Sequence, residues 1–139
     1  MLKLDAVFII SLVMVDISEQ IKYWKAGAQE DWEAAGVLVE SGKIRQGLFF
    51  AHLALEKLLK AHVCRQRQEI APRIHNLVRL AELADLKLDD NRLDTLAEMN
   101  EFNIEGRYPL NYVQPPNAEE ASTYMTKADE VYLWLIQRL

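Results

Sequence analysis

The sequence predicts an all-α fold, an up-and-down bundle of four to five helices, on three observations. Apolar residues recur at three- and four-residue steps through most of the 139 residues, the spacing that gathers them on one face of a helix. No stretch of useful length alternates apolar and polar residues as a half-buried strand does. All four prolines, Pro72, Pro109, Pro115 and Pro116, fall between the periodic segments. With half of its residues hydrophobic and 27% charged, the chain can bury one core, and its length suits a single domain.

The elements follow in order. Ser18 is placed to cap a helix running to about Glu40, with Ile21, Trp24, Ala28, Trp32, Ala35 and Val39 on one stripe. Ser41-Gly42 ends it. A second helix, about Lys43 to Gln66, carries Leu48, Phe49, Leu55, Leu58, Leu59 and Val63 and is expected to lie antiparallel to the first across that short turn. Beyond Pro72, Ile74 to Leu86 reads as a shorter helix burying Leu77, Leu80, Ala81 and Ala84. A fourth starts at Asp89 or Asp90 and reaches about Phe102. Gly106, Pro109, Pro115 and Pro116 then prevent regular helix until Asn117 caps the last one, Ala118 to Arg138.

Residues 1–13 read as an apolar N-terminal extension to a domain spanning 14–139. The run from Ala6 to Val15 is half of the roughly 20 residues that a membrane-spanning helix needs, and no small-x-small cleavage site follows it, so neither a membrane span nor secretion is expected. The single cysteine, Cys64, leaves no internal disulfide framework and no thiolate pair for zinc. A reducing cytoplasm is the expected compartment. Trp24, Trp32, Phe49 and Phe50 add to the N-terminal run more apolar surface than a thin bundle covers. Adjacent helical residues point about 100° apart, so Phe49 and Phe50 are hard to bury together, and a homodimer is expected.

A formal net charge of -5 implies no general polyanion-binding surface. The charge is uneven, however. Lys57 to Arg79 holds six Lys or Arg against one acid, Glu69, whereas Leu80 to Glu105 holds eight acids against Lys87 and Arg92. Solvated faces explain most such runs; alternatively Arg65, Arg67, Arg73 and Arg79 form an edge that attracts phosphate.

Chemistry-bearing residues are few. His52, Glu56 and Lys60 step by four and line one helical ridge. They read either as a Glu-Lys pair with a satisfied histidine, or as a polar groove in which Lys60 and Arg107 meet phosphate or ribose oxygens while Glu56 orients them. Gly106, Arg107, Tyr108 and Pro109 precede the last helix in a Pro-bounded loop suited to holding an anion. No metal or cofactor is expected: no Glu-x-x-His of the di-iron type occurs, because Phe49, Leu59 and Pro72 stand three before the histidines, and the five glycines form no phosphate loop.

Four pieces of the chain, in order, carry a resemblance. The run Leu48-Phe-Phe-Ala-His-Leu-Ala-Leu-Glu-Lys-Leu-Leu-Lys60 resembles the second-helix signature of the HEPN family, the higher eukaryotes and prokaryotes nucleotide-binding domain. Trp24 with Asp31-Trp32-Glu33-Ala34-Ala35 is similar to that family's first helix. His75-Asn76-Leu77 resembles its His-x-Leu start of the third, and Phe102 to Pro109 its Arg-Tyr-Pro segment. The resemblance covers about Ile17 to Leu139 and implies a bundle that is usually dimeric and often paired with a minimal nucleotidyltransferase in a toxin-antitoxin-like system.

Many such proteins are metal-independent ribonucleases using Arg, four to six residues, then His before the last helix. An Arg stabilises the phosphorane while a His moves the 2′-hydroxyl proton. Here Arg107 matches the Arg, but Tyr112, Val113 and Gln114 occupy the positions where His belongs, and no histidine follows His75. Arg45 and His52 meet the spacing in the wrong helix. Tyr108 or Tyr112 would offer only a phenol of pKa about 10. The sequence therefore favours a non-catalytic module binding a nucleotide, RNA or protein partner through His52, Glu56, Lys60, Arg107 and Tyr108; a divergent ribonuclease toxin is the alternative, and an unrelated helical scaffold the third reading.

Overall fold

A computed structural model of the chain describes residues 6–103 and 114–139, with side chains from residue 17 onward. Among these residues five α-helices form an all-α bundle: α1 Ala6–Glu40, α2 Ile44–Arg67, α3 Leu77–Leu83, α4 Asp90–Met99 and α5 Ala118–Ile136, with a 3₁₀ turn, Asn100–Phe102, after α4. Arg107 and Tyr108 lie outside the described residues.

The long pair α1 and α2 forms the backbone of the bundle, as the Gly turn predicts. Gly42 sits at φ +83, a conformation that costs glycine nothing. This lets Lys43 N donate to Leu38 O at 2.8 Å and Gly42 N to Val39 O at 3.0 Å, the paired bonds that close a helix end. Beyond the turn the two helices approach closely. A Cβ on Gly47 would stand 2.5 Å from Val39 Cγ2 and 2.9 Å from the Val39 backbone nitrogen, so only a bare α-carbon fits there.

Ser18 is not a cap. It lies inside the continuous α1, exposed, because nothing from Asp16 to Glu19 breaks the ladder and an interior serine costs only about 0.5 kcal/mol, less than interrupting the helix. α1 also crosses the Met14 boundary without a break in the helix. α3 is shorter than expected at both ends. Asn76 caps it by accepting from Arg79 N at 2.9 Å. At the other end Asp85 adopts φ 52, so that Asp85 N donates to Glu82 O and Leu86 N to Ala81 O. A left-handed aspartate gives no signal as plain as glycine's. Asp89 and Asn117 cap α4 and α5, the latter in a reciprocal capping box with Glu120.

α2 is the central element, with 14 of its 24 residues buried because α1, α3 and α5 all pack on it. Leu48, Leu55, Leu58, Leu59 and Val63 meet Ala28 and Ala35 of α1, Leu77 and Leu80 of α3, Leu96 and Met99 of α4, and Val131 and Leu135 of α5 in one core. Trp32 stacks on Tyr132 at 4.8 Å, joining α1 to α5. Phe49 and Phe50 are both half-buried and meet edge to face at 5.9 Å. No described helix is long and apolar enough to cross a membrane.

Candidate functional site

A helix surrounded on several sides buries whatever its sequence places there, and α2 carries three polar residues at a step of four. His52 is fully buried, and Glu56 and Lys60 are 4% and 6% exposed. Burial of charge is tolerated only with partners, and the partners are visible. Glu56 Oε2 accepts from Lys60 Nζ at 3.1 Å, and Glu56 Oε1 accepts from His75 Nδ1 at 3.1 Å. The Lys60 ammonium also lies 5.2 Å from the centre of the Trp24 ring, a cation-π contact strengthened by burial.

His52 faces the same carboxylate differently. Its Nε2 donates to the His75 carbonyl at 3.2 Å, which leaves Nδ1 as a bare lone pair 3.9 Å from Glu56 Oε1 and without a hydrogen-bond partner. Burial pushes the His52 pKa down to about 4 against the opposing pull of Glu56, so at neutral pH the contact is between a neutral ring and a carboxylate, not an ion pair. His52 and Glu56 thus hold the His75 backbone and side chain respectively. Both serve to position that residue.

His75 is where this network reaches the surface, its side chain 50% exposed. With Nδ1 bonded to Glu56, Nε2 is the ring nitrogen left for other contacts. A cleft of about 320 Å³ lies beside it, lined by Ile74, His75, Asn76, Asn100 and Asn103. Asn100 Oδ1 accepts from Leu77 N at 2.8 Å, tying the end of α4 to the start of α3 and fixing the cleft walls. Asn103 stands four residues before Arg107 in the chain.

The larger cleft, about 490 Å³ between α4 and α5, has a different character. Both of its cations are already engaged, Arg92 with Asp89 at 2.9 Å and Glu130 at 2.6 Å and Lys127 with Glu98 at 3.3 Å, and with Asp94 the lining is acidic. It is a solvated, paired face. Among the described residues no three His, Cys, Asp or Glu side chains are grouped as a metal ion requires.

His52, Glu56 and Lys60, singled out by their spacing, are therefore brought together, but inward. The outward-facing member, His75, is 19 residues from Glu56, a separation that no helical periodicity reveals; only its place in the His75-Asn76-Leu77 segment marked it. Asn103 was marked only by its place in the Phe102 to Pro109 segment, and Asn100 carried no sequence signal.

A sequence profile of the HEPN domain matches residues 21–139. The chain belongs to the HEPN domain family. Two solved structures share the fold. An archaeal HEPN homologue, ST0689, superposes with a TM-score of 0.67 at 18% identity, covering 85% of this chain and 96% of its own. TT1696 from Thermus thermophilus gives 0.71 at 19% identity, covering 86% and 98%. No curated protein sequence matches this HEPN chain.

Proposed function

We propose that this HEPN protein is a non-catalytic nucleotide- and partner-binding module whose ligand seats at the His75 cleft. The carrying observation is the Glu56-His75 arrangement: a buried carboxylate fixes an imidazole that is half-exposed beside a polar cleft, while the other two histidines are buried. Lys60 and His52 act through Glu56 and His75 as positioning residues. Arg107 and Tyr108, following Asn103 in the chain, supply the phosphate contact in this reading, since a guanidinium offers the forked donor that phosphate oxygens accept. The module works as a homodimer in the cytoplasm, paired with a minimal nucleotidyltransferase in a toxin-antitoxin-like two-component system.

The absence of any histidine after His75 favours binding over RNA cleavage. One observation favours the second reading, a divergent ribonuclease toxin: His75 presents a carboxylate-oriented Nε2 beside Asn103, a short chain length from Arg107. RNA incubated with purified protein separates them. Intact RNA supports the binding module, and cleavage lost in His75→Ala supports the ribonuclease. For the binding site itself, Arg107→Ala is expected to weaken binding of ATP or of a co-purifying nucleotidyltransferase by about 1–3 kcal/mol with an unchanged melting temperature. A lower melting temperature with unaltered affinity per folded molecule removes Arg107 from the site. Sedimentation at micromolar concentration giving only a 16.0 kDa species removes the dimer.

A further inference from the structure

The arginine-rich edge marked in the sequence resolves into two kinds of residue. Arg79 is paired with Glu82 at 3.1 Å. Arg65 and Arg67 are not, nor is Arg138 just past the last helix, which the sequence did not mark: among the described residues no carboxylate lies within 4.0 Å of their guanidinium groups. Arg73, the fourth member of the marked edge, makes no contact among the described residues that ties it to this group. Arg65, Arg67 and Arg138 are each held instead by a backbone carbonyl. Arg65 Nη1 donates to Arg138 O at 2.8 Å, Arg67 Nε to Leu83 O at 2.7 Å and Arg138 Nη1 to Trp134 O at 2.9 Å. Arg138 also stacks over Trp134, 3.9 Å from the ring centre.

Two of these bonds satisfy carbonyls in the last turns of α3 and α5, a role that basic residues often take at helix ends, and the third holds the chain just past α5. Each contact, however, uses one of the five N–H donors of a guanidinium, so most of the donor capacity remains, pre-oriented. Arg65 and Arg138 line a cleft of about 200 Å³ together with His62, Gln66 and Asp85. Among the described residues Asp85 is the one carboxylate that lines it, and it accepts from Gln66 Nε2 at 3.3 Å. The C-termini of α2, α3 and α5 meet here, each carrying about half a negative unit. With Asp85 they offset most of the three cations, so the pull on an anion rests on the free, pre-oriented N–H donors rather than on surplus charge. At the cleft floor burial lowers the pKa of His62, the bond from its Nε2 to Leu135 O at 2.8 Å opposes this, and Arg65 and Arg138 lower it further.

We infer that this cleft, formed by Arg65 and Arg138 over His62 with Arg67 beside it, is an anion site for phosphate groups, separate from the His75 cleft. The His75 cleft lies at the start of α3, lined by Ile74, His75 and Asn76, and this one at its end, lined by Ala84, Asp85 and Leu86, so the two sites are distinct. The recognisable chemistry is a diphosphate-sized dianion or the backbone of single-stranded RNA, because a guanidinium fork binds phosphate oxygens in pairs.

The test uses the full chain and two probes, inorganic pyrophosphate and a short unstructured RNA, followed by calorimetry and by the ring resonances of the histidines. Pyrophosphate is expected to bind, to shift His62, and to lose about tenfold or more in affinity in Arg65→Gln or Arg138→Gln, the cost of a charged hydrogen bond. Arg65→Lys, which keeps the charge, is expected to retain part of the binding. His75→Ala is expected to leave pyrophosphate affinity unchanged, which separates this site from the proposed nucleotide seat. RNA that binds, competes with pyrophosphate and weakens in the same variants identifies a polynucleotide as the source of the phosphate; pyrophosphate binding alone identifies a small anion. Absence of binding by both probes, or equal affinity in wild type and both Gln variants judged folded by circular dichroism, overturns the site.

Discussion

Replacing Glu56 with Gln keeps the side chain's size and removes a charge from a buried position where its two oxygens answer two different donors. Oε2 accepts from Lys60 and Oε1 from His75. Glutamine has one acceptor oxygen and an NH₂ that cannot accept, so it turns a donor toward either Lys60 or His75. In either orientation Lys60, 6% exposed, loses its counter-charge, with the Trp24 ring left as its remaining favourable neighbour. Breaking a buried pair from one side costs about 3–5 kcal/mol, against a total of about 5–15 kcal/mol for a domain of this kind. Urea unfolding of Glu56→Gln is therefore expected to lose about a third or more of the stability. Lys60→Met, which keeps an unbranched stem against Trp24, is expected to cost a comparable amount by stranding the carboxylate. The double variant, with no buried charge left, is expected to be less destabilised than the sum of the singles by about 1–3 kcal/mol. A Glu56→Gln cost below about 1 kcal/mol, or strict additivity in the cycle, refutes the coupling on which the positioning of His75 depends.

Stability is also expected to depend on pH through His52. Its pKa is 6.5 when unfolded and about 4 when folded, so stability is complete above pH 6.5 and falls as pH drops toward 4, by up to about 3 kcal/mol at 1.36 kcal/mol per unit. His62, shifted the same way, adds to the fall. Denaturation midpoints measured across this window in wild type and His52→Gln check it: the variant is expected to show a shallower slope, and equal slopes count against a buried neutral His52. Gly47→Ala is expected to destabilise by about 1–3 kcal/mol despite alanine's better helix propensity, because the added carbon meets the Val39 backbone at 2.9 Å; a more stable variant in thermal unfolding shows that α1 and α2 are not so closely apposed.

Helix number and type were legible because the signals are local. Apolar periodicity marks Leu48 through Val63 without reference to any other segment, and Asn117 with Glu120 forms its cap within one turn. The errors came where a local rule had a competitor. Ser18 resembles a cap until the unbroken run on both sides is weighed, and Asp85 ends α3 in a conformation usually signalled by glycine. At the site, the i to i+4 relation found His52, Glu56 and Lys60 but not which way they point. That direction depends on α1 and α3 covering α2, a tertiary fact. The Glu56-His75 bond and the Asn100-Leu77 bond join residues 19 and 23 apart, so the cleft they build exists only once the chain has folded.

The chain's three histidines give one direct measurement of where ligand binds: their ring resonances, followed while ATP is added to the full-length protein. Binding at the proposed seat predicts a saturable shift of His75 with His52 stationary, and a shift that needs a higher ATP concentration in Arg107→Ala. Saturable ATP binding with His75 unmoved, or movement confined to His62, contradicts it.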